Sequence, residues 1–255
     1  MYRFFITSGA LTGETLTVTG ADAHHISHVL RMRPGEDIEA VDETGRVYTC
    51  RIEETAPGAA GEAAVTARVL FSEMSGAELK SRLILYQGLP KFEKMELIIQ
   101  KAVELGASAV VPVSTARTVV KLDAKKAQAK TSRWQAIAEA ASKQSKRTVI
   151  PEVKPVMTFK EALSDAAKLD RVLIPYEKAE GIGQTKALLD SLKTGESIGV
   201  FIGPEGGFDE KEVQAAIGAG AVPLTLGPRI LRCETAAITT LSILMFHLTA
   251  QEDTD

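Results

Sequence analysis

Phe201–Val213 reads "FIGPEGGFDEKEV", and this stretch decides what kind of fold the chain can have. Its first three residues close the run "SIGVFIG", in which neighbouring positions are apolar. Such a run fits a strand buried on both faces, as in a parallel sheet. Gly203, Pro204, Gly206 and Gly207 then make a turn. Asp209 and Glu212 have capping-box spacing and start a helix. Strand, glycine turn and helix start form a βα unit. Turns of this kind often cradle phosphate at the helix N-terminus. Here Glu205 stands where a phosphate binder would carry Lys, and Asp209, Glu210 and Glu212 add to the repulsion of any phosphate.

Working outward, the same alternation fills the chain from residue 81 onward. "LILYQ" precedes the amphipathic "KFEKMELIIQKAVEL", which Gly106 stops. "AVVPVS" precedes a long helix around "SRWQAIAEAASKQ". "VIPEV", a helix capped by Thr158 with Glu161, and "DRVLIPYE" follow. A helix around "QTKALLDSL", the opening stretch itself, "VPLTL" and an apolar helix over roughly Thr235–Leu248 complete the pattern. Six strands alternating with helices predict a mostly parallel sheet covered on both faces, with its ligand beyond the carboxyl ends of the strands.

Before residue 81 the pattern is different. "RFFI", "TLTVT", "DIEAV", "GRVYTCRIE" and "AAVTARVLF" are short β-rich runs, with "DETGR" and "TAPGAAGE" as turn-like connectors. "DAHHISHVLRMRPGED" predicts one short helix, capped by Asp22 and ended by Pro34-Gly35. This part reads as a small barrel of about 70 residues. The polar linker "SEMSGAELK" separates residues 1–72 from a second domain over 76–255.

The 255 residues are 45% hydrophobic and 25% charged, as in a soluble globular protein. Cys50 and Cys233 match no metal or redox spacing, which suits a reducing compartment. "MYRFFITSGA" lacks a signal peptide's apolar core. The most apolar stretch, "AAITTLSILMFHLTA", is shorter than a bilayer span and interrupted by Thr, Ser and His. The expectation is a cytoplasmic protein with no membrane contact. The net charge of −3 hides a basic segment: residues 117–154 hold 10 Lys/Arg against 3 Asp/Glu. That segment is either a solvated helix face or a surface for a polyanion.

A second loop, "LGPRILRCETA" (Leu226–Ala236), follows a late strand and falls on the same sheet edge as "GPEGGF". Neither loop is a Walker motif or a dinucleotide fingerprint. Glycines expose backbone N–H and C=O groups to a close ligand. A carboxylate among them suits a cationic or neutral polar group, such as the sulfonium of S-adenosylmethionine. A plain connection that uses glycine for geometry is the other reading. Arg229, Arg232 and Glu234 crowd the entrance to the apolar helix, where each charge calls for a partner. An Arg–Glu structural pair would meet that need. His24 and His28 share one helix face, but His25 occupies the Glu position of H-E-x-x-H and no third ligand is nearby, so no metal is expected.

"HHISHVLRMRPGE", "KFEKMELIIQKAVELG", "RWQAIAEAASKQSKR", "IGPEGGF" and "LGPRILRCETA" occur together and in this order. In this the chain resembles the RsmE-type ribosomal RNA methyltransferases of the SPOUT superfamily over nearly its whole length. The resemblance implies an α/β domain with a parallel sheet and a C-terminal trefoil knot, preceded by a PUA-like β-barrel. It implies a homodimer that transfers methyl from S-adenosylmethionine to N3 of a uridine in 16S ribosomal RNA of the small subunit. Carried over by position, Pro175, Tyr176, Glu177, Gly203, Pro204, Gly206, Leu226, Gly227, Ile230 and Leu231, with Thr235 and Ala236, would hold the cofactor. Arg232, Glu234 and Glu205 would be catalytic, with Arg232, Glu234 and Thr235 in a loop facing the base. His24, Arg31, Arg133, Lys143, Lys146 and Arg147 would contact RNA. Ala116 stands before Arg117 where an acidic residue would be anticipated, which leaves the role of Arg117 open. A non-enzymatic RNA-binding or ribosome-assembly protein, or a nucleotide-dependent enzyme, are the competing classes.

Overall fold

In Thr15–Thr19 the side chains alternate strictly, with Leu16 and Val18 buried and the three threonines exposed. That period of two makes the segment a strand with one face in a core. The computed structural model describes residues 1–57, 63–179 and 181–253. They form two compact units: Met1–Glu78 with Ser142–Val149, and Leu79–Ala141 with Ile150–Asp255.

The first unit contains β1 (Arg3–Phe5), β2 (Leu11–Thr12), β3 (Thr15–Thr19), β4 (Asp37–Val41), β5 (Arg46–Pro57) and β6 (Ala63–Met74). Their order in the sheet is β1-β4-β5-β6-β3-β2. Every pairing is antiparallel except β1 with β4. Register shifts at Thr49/Cys50 and Ile52/Glu54 interrupt the long β5/β6 ladder, and such bulges bend a sheet and increase its twist. Phe4, Leu16, Ile26, Ile38, Ile52 and Val65 fill the core. The expected connector "TAPGAAGE" lies largely outside the described residues.

The short helix departs from expectation at both ends. α1 (Gly20–His24) starts from Thr19, and Asp22 sits in its first turn and makes no cap. The chain then widens into a π-turn over His25–Val29. It stops at Arg31, whose φ of 54° is left-handed, before Pro34-Gly35 is reached. Asp22 instead pairs with Lys143 at 2.9 Å. Ser142–Val149 is bound into this unit by further pairs. Lys146 Nζ lies 2.8 Å from Glu39, and the buried Arg147 donates from Nε to Glu78 at 3.0 Å. Glu78 also accepts the backbone N–H groups of Thr148 and Val149.

The second unit contains β7 (Arg82–Gly88), α2 (Lys94–Glu104), β8 (Ala107–Ser114), α3 (Ala124–Gln144) as far as Ala141, β9 (Glu152–Val153), β10 (Met157–Thr158), α4 (Phe159–Ala166), β11 (Arg171–Pro175), α5 (Ile182–Asp190), β12 (Ser197–Ile202), α6 (Glu210–Gly218), β13 (Val222–Leu224) and α7 (Cys233–Glu252). The sheet runs β10-β8-β7-β12-β11-β13, with β9 beside β8. All pairings in it are parallel. Six strands are expected from the sequence, and seven are present among the described residues. "VIPEV" contributes only Glu152–Val153, since Pro151 has no N–H to donate, and Met157–Thr158 adds a second short edge piece.

Alternate residues of the central strands feed two cores. Leu83, Leu85, Val200 and Ile202 face α2 and α7, while Ile84, Tyr86 and Phe201 face α4 and α6. The capping boxes at Thr158/Glu161 and Asp209/Glu212 are both formed, and they fix where α4 and α6 begin. α7 is longer than its apolar stretch indicated. At 20 residues it is long and apolar enough to cross a bilayer, contrary to the length argument above. Yet Ala237, Leu241, Leu244 and Leu248 pack into the core beside α2.

The Arg147–Glu78 pair should carry much of the anchoring of Ser142–Val149. Arg147→Ala strands a partly buried carboxylate and should cost about 3–5 kcal/mol in denaturant unfolding. Burial pushes the Glu78 carboxyl up, but Arg147 and the two backbone N–H groups outweigh it and hold it below its ordinary 4.5. A depressed folded value stabilises above pH 4.5 and is lost as pH falls through that folded value. The acid limb of a stability–pH curve should therefore flatten in Arg147→Ala.

Candidate functional site

Because β11, β12 and β13 are parallel neighbours, their carboxyl ends lie on one edge. A cavity of about 560 Å³ opens there. Three loops wall it. Pro175, Tyr176 and Glu177 leave β11. Gly203 to Phe208 leave β12. Thr225 to Leu231 leave β13, with Cys233 and Ala236 from the start of α7. Expected cofactor residues Pro175, Tyr176, Glu177, Gly203, Pro204, Gly206, Leu226, Gly227, Ile230, Leu231 and Ala236 all line it, as does Glu205; Thr235 does not. Ile202, Gly207, Phe208, Thr225, Gly181 and Arg117 line it as well, without having been expected to.

Close packing sets the turn. A Cβ on Gly88, at the end of β7, would lie 2.6 Å from Pro204 Cδ and 2.7 Å from its backbone nitrogen. A Cβ on Gly203 would lie 3.0 Å from the Gly207 backbone. Arg117 closes the turn from outside: its Nη1 donates to the Gly206 carbonyl at 2.9 Å, and its Nη2 lies 3.6 Å from Asp209. The role left open for Arg117 is thus at least structural. On the opposite wall, Thr185 Oγ1 donates to the Thr225 carbonyl and accepts the Thr225 N–H, both at 3.1 Å. This fixes the start of the last loop, which then passes through Gly227 at φ 102°.

The charges at the α7 entrance do not pair as expected. Arg232 is its N-cap, so Glu234 and Thr235 belong to the first helical turn and not to a loop. Arg229 and Arg232 are exposed, with no hydrogen-bond or ion-pair partner for either guanidinium among the described residues. Glu234 pairs instead with Lys94 at 3.1 Å and accepts the Cys233 thiol at 3.2 Å. Lys94 also lies 3.3 Å from Glu205, which takes the Lys91 N–H at 3.0 Å. Burial pushes Glu205 and Glu234 up, but these hydrogen bonds and the ammonium prevail and hold both below the usual carboxylate range. They are therefore weak proton acceptors and persistent anions. Burial and the neighbouring carboxylates push the Cys233 thiol up to about 12, so it is no nucleophile at neutral pH.

The basic segment is largely neutralised. Arg117, Lys126, Arg133, Lys143, Lys146, Arg147 and Lys154 each sit beside a carboxylate. Of the expected RNA contacts, Arg147 is buried and has no surface to offer. Lys143 is held between Asp22 and the Phe4 ring. His24, Arg31 and Arg133 are exposed, and Lys146 keeps part of its side chain in solvent. His24 and His28 stack with ring centroids 4.5 Å apart. Among the described residues no group of three or more His, Cys, Asp or Glu is arranged to hold a metal.

A strand-end cavity built on backbone and apolar groups, in a doubly covered parallel sheet, defines a class when set beside known proteins. Residues 77–245 match the RNA methyltransferase domain family, and residues 18–60 match the RNA methyltransferase PUA domain. The ribosomal RNA small subunit methyltransferase E of Bacillus subtilis is 37% identical over 91% of this chain and 90% of its own. A methyltransferase from Legionella pneumophila, solved with bound S-adenosylmethionine, superposes with a TM-score of 0.83 at 31% identity, covering 96% and 97% of the two chains. The Neisseria gonorrhoeae ribosomal RNA small subunit methyltransferase E, also bound to S-adenosylmethionine, gives 0.80 at 30% identity over the same shares. The chain is an RNA methyltransferase by fold and domain content. It belongs to the ribosomal RNA small subunit methyltransferase E family.

The Gly88–Pro204 approach makes a sharp prediction. Gly88→Ala should destabilise the protein by about 1–3 kcal/mol through overpacking and weaken ligand binding in the cavity. Gly218→Ala, where a Cβ meets open space, should be neutral or slightly stabilising. Denaturant unfolding and ligand titration of the two variants check both statements.

Proposed function

We propose that this protein methylates small-subunit (16S) ribosomal RNA, transferring the methyl of S-adenosylmethionine to N3 of a uridine. The observation that carries the reading is the cavity at the ends of β11, β12 and β13. Its size, glycine backbone, apolar walls and ionised Glu205 suit a nucleoside with a sulfonium and no phosphate. When bound, S-adenosylmethionine supplies an electrophilic methyl carbon. Holding the two reactants in line is then the protein's main task.

Uridine N3 carries an imide proton and is a poor nucleophile until that proton leaves. The site therefore needs a group that stabilises the uracil anion. Arg232, exposed and unpaired at the N-cap of α7, can offer its guanidinium to the uracil oxygens. Glu205 and Glu234 stay ionised and serve orientation better than proton transfer. The target base must be unpaired or extruded to reach the site. His24, Arg31, Arg133 and Lys146 would hold the flanking RNA through few contacts, since so much of the basic segment is paired. RNA affinity should still fall with rising salt.

The same reading includes a homodimer formed through this domain. Ile243 and the strongly exposed Phe246 on α7 offer an apolar face for a second copy. It also includes the trefoil knot, since α7 returns from the edge strand β13 to pack on β12 and β7. A ribosomal RNA modifier of this kind works in the cytoplasm.

Labelled S-adenosylmethionine with unmodified small subunits tests the function. The label should map to N3 of one uridine; label in another base, or none, overturns the assignment. Arg232→Ala should lower methylation by about 100-fold or more, the usual loss for an anion-stabilising donor. Its affinity for S-adenosylmethionine should stay within about twofold of the parent, because Arg232 does not line the cavity.

A further inference from the structure

Three chain segments meet at one side chain. Lys94, the first residue of α2, lies 3.3 Å from Glu205 in the turn after β12 and 3.1 Å from Glu234 in the first turn of α7. No other cation among the described residues pairs with either carboxylate. Glu205 is also fastened to the Lys91 backbone, so the turn before α2 joins the same cluster. Glu205 lines the cavity itself, and Glu234 holds the thiol of Cys233, which lines it too. The Lys94 side chain is only partly exposed, so its charge is little screened.

We propose that Lys94 is a positioning residue that locks the turn after β12 to the entrance of α7, and that cofactor affinity depends on this lock. The proposal rests on the methyltransferase reading. The two walls it joins come from segments with no other ion pair between them among the described residues. Without the ammonium, Glu205 and Glu234 would face each other as two anions with no shared counter-ion and would move apart. One ammonium between two carboxylates also leaves an excess of negative charge beside the cavity, which favours a sulfonium.

The test compares Lys94→Met, which keeps the apolar stem, with Lys94→Arg, which keeps the charge. S-adenosylmethionine and the uncharged product S-adenosylhomocysteine are titrated by calorimetry against each variant and the parent. Binding of S-adenosylmethionine to the parent protein is the control for the underlying reading; without it the function fails, not the lock. The lock predicts that Lys94→Met weakens both ligands about tenfold or more, that Lys94→Arg recovers most of the loss, and that thermal unfolding of the variants stays close to the parent. Unchanged affinity in Lys94→Met overturns the proposal. So does tighter binding of S-adenosylmethionine with S-adenosylhomocysteine unaffected, which would make Lys94 a local charge and not a lock. Loss of binding in both variants, Lys94→Arg included, with folding intact also overturns it, because charge without the native stem would then not suffice.

Discussion

The end of β7 and the turn after β12 approach so closely that only a hydrogen fits between them. A single methyl group on Gly88 would overlap Pro204. The placement of the glycine turn follows from that approach. It presses the glycine turn against the end of the sheet, where its backbone groups border the cavity. It places Glu205 within reach of Lys91 and Lys94, which follow β7 directly. Arg117, arriving from the end of β8, then binds the outer side of the turn through the Gly206 carbonyl. A tight contact between two neighbouring parallel strands thus becomes a rigid floor for a ligand.

What was legible in the sequence was what local spacing encodes. The capping boxes at Thr158 and Asp209, the buried runs of β7 and β12, and the shared edge of the two glycine loops follow from periods of two and 3.6 and from the geometry of parallel sheets. Local signals mislead where a distant residue overrides them. Asp22 has a cap residue's chemistry, but Lys143, far along the chain, takes it for an ion pair. Arg147 looked like one more surface cation, yet it is buried against Glu78. Lys94 carries no local signal, because its partners lie more than a hundred residues away and no periodicity connects them. The proposed knot lies beyond any such reading, since threading leaves no trace in composition or spacing.

The electrostatics follow the same division. A count along the chain finds a basic segment, but in space most of those cations are matched by carboxylates from other elements. At the entrance of α7 the pattern is reversed. The guanidinium groups of Arg229 and Arg232 lack partners among the described residues. Glu234, two residues on from Arg232, pairs with Lys94 instead.

The order of strands in the second sheet has a consequence for how the protein comes into being. β12 lies between β7 and β11, both of which precede it in the chain. The sheet therefore cannot grow by adding each new strand to an edge; its middle member arrives after both neighbours and joins them through contacts of long sequence separation. Such topologies form slowly. The floor of the cavity is carried by that late strand, so no partly assembled form of the domain can present it. Occupancy of the cavity would then report completed folding, and a cell would gain a catalyst only from molecules that had finished assembling.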